Sequence, residues 1–70
     1  MNLLISKKAA EYFGTDRRII GASVSELANK WSELRDASGL GVSVLGNGGN
    51  VLDDNGKRIA TISYNGRIFA

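Results

Sequence analysis

The chain has 70 residues, a formal net charge of +2, and neither cysteine nor histidine. Disulfides, thiolate or imidazole catalysis, and zinc sites built from cysteine and histidine are therefore excluded. This length predicts a single domain over residues 1–70. A domain so small, without disulfides or a bound metal ion, needs tight packing or a partner subunit to be stable. A homodimer is therefore one possibility.

The N-terminus begins with a short apolar run from Leu3 to Ile5, and lysines follow it. The run is too short for a signal-peptide core or a membrane span. We therefore expect a soluble, cytoplasmic protein that does not contact a membrane.

Good helix formers then predict a short N-terminal helix over residues 3–13, with Gly14 as its left-handed stop. A strand over residues 1–5 followed by a helix from Ser6 is the alternative. Residues 15–22 fit either a short strand or one helical turn.

The strongest helix signal spans residues 24–38. Ser23 and Glu26 form a Ser-x-x-Glu capping box, in which each side chain accepts a hydrogen bond from a free amide of the first turn. Gly39 supplies the stop. Apolar residues recur on one face at helical spacing, namely Val24, Leu27, Ala28, Trp31 and Leu34. We expect this face, including Trp31, to lie in the core.

Three Asn-Gly steps follow, at Asn47-Gly48, Asn55-Gly56 and Asn65-Gly66. Asn-Gly tolerates positive φ at both positions and is typical of tight β-hairpin turns. With apolar residues between them, the steps predict strands near residues 41–46, 49–53, 57–64 and 67–70. The predicted fold is α+β, a four-stranded antiparallel β-meander packed against one main α-helix, with a short N-terminal helix.

The turns also predict which strand residues lie opposite each other. A two-residue loop at Asn65-Gly66 pairs Tyr64 with Arg67, and a three-residue loop at 54–56 pairs Val51 with Ile59. Opposite residues of antiparallel strands point to the same face, so four side chains share a face: Arg58, Tyr64, Arg67 and Phe69. We predict that these four bind a partner, because tyrosine and arginine dominate interface hot spots.

Both faces of the predicted sheet carry apolar residues. Helix 24–38 covers one face. Either the N-terminal helix covers the second, or that face is open and forms an interaction patch.

No pattern of residues indicates catalysis or a bound cofactor. Asp53-Asp54-Asn55-Gly56 resembles the start of a calcium loop but lacks the glutamate that closes one. The glycine clusters at Gly39 and Gly48 do not lead from a strand into a helix, as phosphate loops do. We therefore predict a protein that is not an enzyme and holds neither a metal ion nor a cofactor.

Basic residues support an alternative, the binding of nucleic acid. The candidate residues are Lys7, Lys8, Arg17, Arg18, Lys57 and Arg58. Residues 23–31 also resemble the first helix of a helix-turn-helix unit, but no short turn and second helix follow. As the recognition helix of a winged helix, residues 24–38 would bring two basic and three acidic side chains to the DNA, an unfavourable balance beside phosphates.

In size and build the chain resembles small accessory proteins of phages and mobile elements, including some anti-CRISPR proteins. They too are small and lack disulfides and structural metal ions, and they have a helix followed by hairpins. The resemblance implies an inhibitor or adaptor. We predict a protein-binding module that docks through its sheet face or through the edge strand at 67–70. A nucleic-acid-binding regulatory domain is the alternative, and a self-assembling structural subunit is the second alternative.

Overall fold

In the computed structural model, which describes residues 1–70, the chain forms a sheet and three helices. The strands are β1 (Asn2–Leu4), β2 (Arg18–Ile20), β3 (Gly49–Leu52), β4 (Arg58–Ile62) and β5 (Ile68–Phe69). The helices are α1 (Lys7–Phe13), α2 (Val24–Ser38) and α3 (Val42–Leu45). The α+β class is confirmed, but the sheet has five strands where the sequence predicts four.

The strands are all antiparallel to their neighbours, in the order β2-β1-β3-β4-β5. The successive hairpins β3-β4-β5 confirm the last part of the predicted meander. β1 lies near the middle of the sheet, where Leu3 is opposite Ile19 on one side and Val51 on the other. The predicted helix over residues 3–13 is therefore wrong over residues 3–6, and the alternative of a strand followed by a helix is confirmed.

Ser6 is the N-cap of α1, and its hydroxyl accepts a hydrogen bond from the amide of Ala9 at 3.0 Å. The same hydroxyl donates to the carbonyl of Leu45 at 3.0 Å, which ties α1 to α3. Gly14 ends the helix in the left-handed region with φ 70°, as predicted. Of the two possibilities for residues 15–22, the strand is observed, as β2.

α2 has the predicted bounds, and Ser23 and Gly39 cap it as predicted, but Glu26 reaches back past the N-cap and not to an amide of the first turn. The hydroxyl of Ser23 accepts from the amide of Glu26 at 3.1 Å, and the Glu26 carboxylate accepts from the amide of Ala22 at 2.6 Å. Gly39 ends the helix with φ 67°. Trp31 is fully buried, as predicted, with its ring edge-on to Phe13.

Residues 42–45 are helical, so the predicted strand over 41–46 is wrong and Asn47-Gly48 does not turn a hairpin. The glycines here allow a close approach between backbones instead. A Cβ on Gly48 would lie 2.8 Å from the carbonyl oxygen of Ile62, and one on Gly49 would collide with the backbone of Leu4. An Asn-Gly pattern does not distinguish these two uses of glycine.

The other two Asn-Gly steps do turn the chain, with φ 81° at Gly56 and 85° at Gly66. The amide of Asp53 donates to the carbonyl of Lys57, which confirms the three-residue loop over 54–56. The amide of Ser63 likewise donates to the carbonyl of Arg67. The last loop is therefore 64–66, one residue longer than predicted, and Tyr64 lies in the turn rather than opposite Arg67.

A β-bulge shifts the register between β3 and β4. Leu52 lies opposite Arg58, but its neighbour Val51 lies opposite Ala60. The predicted pair of Val51 with Ile59 is wrong, because Ile59 is the extra residue on β4.

The helices pack on one face of the sheet, where strand and helix residues form a single core. The core residues are Leu3, Ile5, Ala9, Ala10, Leu27, Ala28, Trp31, Leu45, Val51, Ala60 and Ile62. No helix covers the opposite face, so that face is open, as in the second of the two alternatives.

Candidate functional site

The sheet face turned away from the helices is exposed to solvent, and we refer to it as the open face. Its members follow from the strand register, because Leu3 points into the core and its neighbours point outward. They are Asn2, Leu4, Arg18, Ile20, Asn50, Leu52, Arg58, Ile59, Thr61, Arg67 and Phe69.

Two rows of side chains cross the open face. The first row crosses every strand and consists of Arg18, Leu4, Asn50, Thr61 and Phe69. Neighbouring strands lie about 4.8 Å apart, so this row is roughly 19 Å long. The second row consists of Ile20, Asn2, Leu52 and the bulge at 58–59.

The open face exposes large apolar side chains. Ile20 is 74% exposed, Phe69 50% and Ile59 36%. Leu4 and Leu52, on the central strands, are half-buried between them. Apolar side chains grouped in this way on a small protein are typical of a binding surface.

Arginine side chains lie over the same face. Nε of Arg58 donates to the hydroxyl of Thr61 at 2.9 Å, and that hydroxyl donates to Oδ1 of Asn50 at 3.1 Å. This chain of hydrogen bonds holds the Arg58 guanidinium across β4. The guanidinium of Arg67 lies 6.0 Å from the centre of the Phe69 ring, close enough for a cation–π contact.

The open face is cationic, because none of its residues is acidic and three are arginines, Arg18, Arg58 and Arg67. The ion pairs of the molecule lie elsewhere, between the N-terminal ammonium and Asp54 and between Arg35 and Asp36. The positive charge of this face is therefore available to a partner with carboxylates.

Asn2 provides one unsatisfied polar atom on the open face. Its Oδ1 is out of contact with water and accepts no hydrogen bond. Ile20 and Leu52 lie directly opposite Asn2 on the two neighbouring strands. A carbonyl oxygen in such a place lowers the stability of the fold.

Three of the four residues predicted to bind a partner come together here, namely Arg58, Arg67 and Phe69. Tyr64 does not join them, because the three-residue loop turns it to the helical side of the sheet. Its hydroxyl donates to the carbonyl of Leu40 at 2.6 Å, and its ring packs against the core. The predicted grouping of Tyr64 with the other three is therefore wrong.

The six residues proposed for nucleic-acid binding are not brought together. Lys7 and Lys8 lie on α1, in the helical layer, and Lys57 lies in the loop before β4. Nε of Arg17 donates to the carbonyl of Ile5 at 3.0 Å. The remaining two, Arg18 and Arg58, lie on the open face, on different strands.

Four apolar members of the open face were not predicted as site residues: Leu4, Ile20, Leu52 and Ile59. The strands β1 and β2 have three residues each, too few for an alternating pattern to be read. Ile59 is placed on this face by the bulge, which no local sequence signal indicates.

No three acidic side chains approach closely enough to hold a metal ion, and none of the three helices is both long and apolar enough to span a membrane. Comparison with models of protein families, with curated proteins and with solved structures finds no match to this chain.

Proposed function

We propose that the chain is a small non-enzymatic protein-binding module that docks through its open face. Its partner presents an apolar patch surrounded by acidic side chains. One observation carries the proposal: the exposed Ile20, Ile59 and Phe69 share a face with arginines that have no carboxylate partner.

The arrangement of the open face resembles that of a protein interface. Such interfaces have an apolar centre that excludes water and a polar rim, and arginine and aromatic side chains supply much of their binding energy. Here Leu4 and Leu52 lie on the central strands, while Arg18 and Phe69 lie on the two edge strands.

Nucleic acid is a poorer fit to this surface. Sheets that bind single strands stack bases on aromatic side chains. The open face carries one aromatic residue, Phe69, at the edge of the sheet, and its centre is aliphatic. Aliphatic side chains provide no stacking platform, although the arginines would bind phosphates.

A second copy of the chain is also a poorer fit. Two open faces in contact would bring arginines against arginines without any carboxylate between them, and like charges across an interface are unfavourable. This consideration favours a different, acidic protein over self-assembly through this face.

An inhibitor or adaptor is the role that we propose for the module. A rigid sheet backed by helices can cover a functional surface of its partner or link that partner to another protein. The resemblance in size and build to accessory proteins of phages, including some anti-CRISPR proteins, supports this role and a cytoplasmic site of action.

The test compares three tagged proteins in affinity capture from nuclease-treated lysate, followed by titration of each captured protein in purified form. They are the natural chain, the open-face variant Arg58→Glu/Arg67→Glu and the control Lys7→Glu/Lys8→Glu. The control has the same change of charge but carries it on α1. Circular dichroism establishes that all three are folded.

We expect a purified acidic partner to bind the natural chain and the control equally. The open-face variant should bind about 100-fold more weakly, as expected for the loss of hot-spot arginines. In spectra of the labelled chain, the methyl signals of Leu4, Ile20, Leu52 and Ile59 should shift on binding. The proposal would be contradicted if the open-face variant bound the partner as tightly as the natural chain does. It would also be contradicted if the chain captured nucleic acid from untreated lysate and captured no protein after nuclease treatment.

A further inference from the structure

A groove of about 590 Å³ runs between β2 and the outer side of α2. Ile19 and Ile20 lie on its strand side, and Leu34 and Ala37 lie on its helix side. The polar lining consists of Lys30 and Glu33 on the helix side and Thr15 and Arg18 on the strand side, two cations against one carboxylate. Ligand sites typically enclose roughly 300–1,000 Å³, so the groove is large enough to hold side chains of another molecule.

The strand beside this groove has a free edge, because β2 pairs only with β1. The β1-β2 ladder includes hydrogen bonds from Ile5 N to Arg17 O at 2.8 Å and from Gly21 N to Met1 O at 3.2 Å. Because antiparallel pairing alternates along a strand, Arg18 and Ile20 between these points direct their N–H and C=O groups outward. The edge thus offers backbone donors and acceptors to a further strand.

One of these outward backbone groups, the carbonyl of Ile20, is already hydrogen-bonded to a side chain of α2. Nζ of Lys30 donates to the carbonyl of Ile20 at 2.7 Å. The outward groups of β2 therefore face α2 across the groove. A peptide N–H that took over this carbonyl would release the ammonium of Lys30, which would then favour a carboxylate nearby.

We propose that this groove binds an extended peptide segment of a protein partner, which adds to β2 as a sixth strand. An apolar side chain of the peptide enters the groove against Ile19, Leu34 and Ala37, and an acidic residue of the peptide pairs with Lys30. This mode of binding takes affinity from main-chain hydrogen bonds and specificity from alternate side chains. The groove adjoins the β2 end of the open face, with which it shares Arg18 and Ile20, and its other lining residues lie outside that face. The inference does not rest on the function proposed above.

The probe for the test is a library of short random peptides displayed on phage and selected on the immobilised chain. The selected peptides are synthesised with a fluorescent label and titrated by fluorescence anisotropy. Ile20→Pro removes an outward N–H without breaking the ladder to β1, and Ala37→Phe fills the groove from an exposed helical position. Ile20→Val keeps the N–H and is the matched control.

We expect selected peptides in which apolar and polar residues alternate and at least one residue is acidic. Their affinity should fall by about tenfold or more in Ile20→Pro and in Ala37→Phe, consistent with the loss of an interface hydrogen bond or of groove space. Affinity should be unchanged in Ile20→Val and in the open-face variant Arg58→Glu/Arg67→Glu. In Lys30→Met, selection should yield apolar alternation without the acidic residue.

The proposal is overturned if no peptide is enriched, or if the selected peptides bind Ala37→Phe as well as the natural chain. Circular dichroism shows whether Ile20→Pro folds. If Ile20→Pro does not fold, the affinity of the peptides for Ala37→Phe decides the test. Ala37 is exposed on α2, so we expect that variant to fold.

Discussion

Trp31 donates its indole N–H to the backbone carbonyl of Tyr64 at 2.9 Å, which joins the main helix to the last hairpin. Nη1 of Arg35 donates to the same oxygen at 2.8 Å. The Tyr64 hydroxyl in turn donates to the carbonyl of Leu40, just beyond α2. The turn between β4 and β5 is therefore fixed to the helical layer, while the strands it joins present their other side to solvent.

Replacing Trp31 should destabilise the fold severely. Trp31→Ala opens a cavity in a core where the side chain is fully buried, and we expect a loss of about 3–5 kcal/mol in the free energy of unfolding. Trp31→Phe keeps a buried aromatic ring but loses the N–H and part of the bicyclic ring. Because Arg35 still satisfies the Tyr64 carbonyl and the cavity is smaller, its cost should be about 2 kcal/mol, below that of Trp31→Ala. Urea denaturation measures both, and equal effects of the two variants would contradict the packing of Trp31.

Tyr64 should contribute to stability and not to binding. Tyr64→Phe removes the hydrogen bond to the carbonyl of Leu40 and should lower the free energy of unfolding by about 1 kcal/mol. Phe69 is half-exposed at one end of the open face. Phe69→Ala should therefore weaken partner binding while leaving the free energy of unfolding close to that of the natural chain. Thermal denaturation measures the effect on stability, and the capture assay measures the effect on binding. A binding defect in Tyr64→Phe would contradict the placement of Tyr64 on the helical side of the sheet.

Glycines with positive φ should differ in their tolerance of a methyl group. Gly56→Ala, with open space around it, should cost only the backbone strain of about 1–2 kcal/mol. Gly49→Ala should cost considerably more, because its Cβ would collide with the backbone of Leu4 on the adjacent strand. Circular dichroism melting curves of the two variants give the comparison. Equal melting temperatures would mean that β3 does not pass so close to β1.

Asn2 should be replaceable with a gain in stability. Asn2→Val removes the unsatisfied Oδ1 and adds a β-branched side chain between Ile20 and Leu52, so we expect a gain of about 1 kcal/mol. Asn50→Val is the matched control. Its Oδ1 accepts the Thr61 hydroxyl, and its loss should give no such gain. A destabilised Asn2→Val in urea denaturation would indicate that the amide has a partner in solution.

The chain should be a monomer in solution, because the open face does not complement itself in charge. Sedimentation equilibrium at micromolar concentration tests this expectation. A dimer that the substitution Ile59→Glu dissociates would show self-association through the open face and would favour the structural-subunit alternative.

Features set by neighbouring residues were predictable from the sequence. The Ser-x-x-Glu box and Gly39 predict both ends of α2, and the loop at 54–56 follows from Asp54-Asn55-Gly56. In each case the residues that produce the geometry are within a few positions of one another, so tertiary contacts have little to override.

Features set by distant residues were not predictable. Asn47-Gly48 has the same local preferences as the other two steps, but the close approach of Ile62 to Gly48 decides its use, and Ile62 is remote in sequence. The bulge at Ile59 changes which side chains share a face, since a shift of one residue exchanges the two faces. The open face was consequently predicted in part, through Arg58, Arg67 and Phe69, while its aliphatic centre on β1 and β3 was missed.

The position of β1 also determines the order in which the sheet can be completed during synthesis. Leu3 leaves the ribosome well before Leu52, the last residue of one of its two neighbouring strands. Until that segment emerges, β1 lacks one of its two neighbours and has an unpaired edge, which makes an incomplete chain prone to aggregate. Pairing over so long a separation in sequence also slows folding relative to a sheet built only from hairpins.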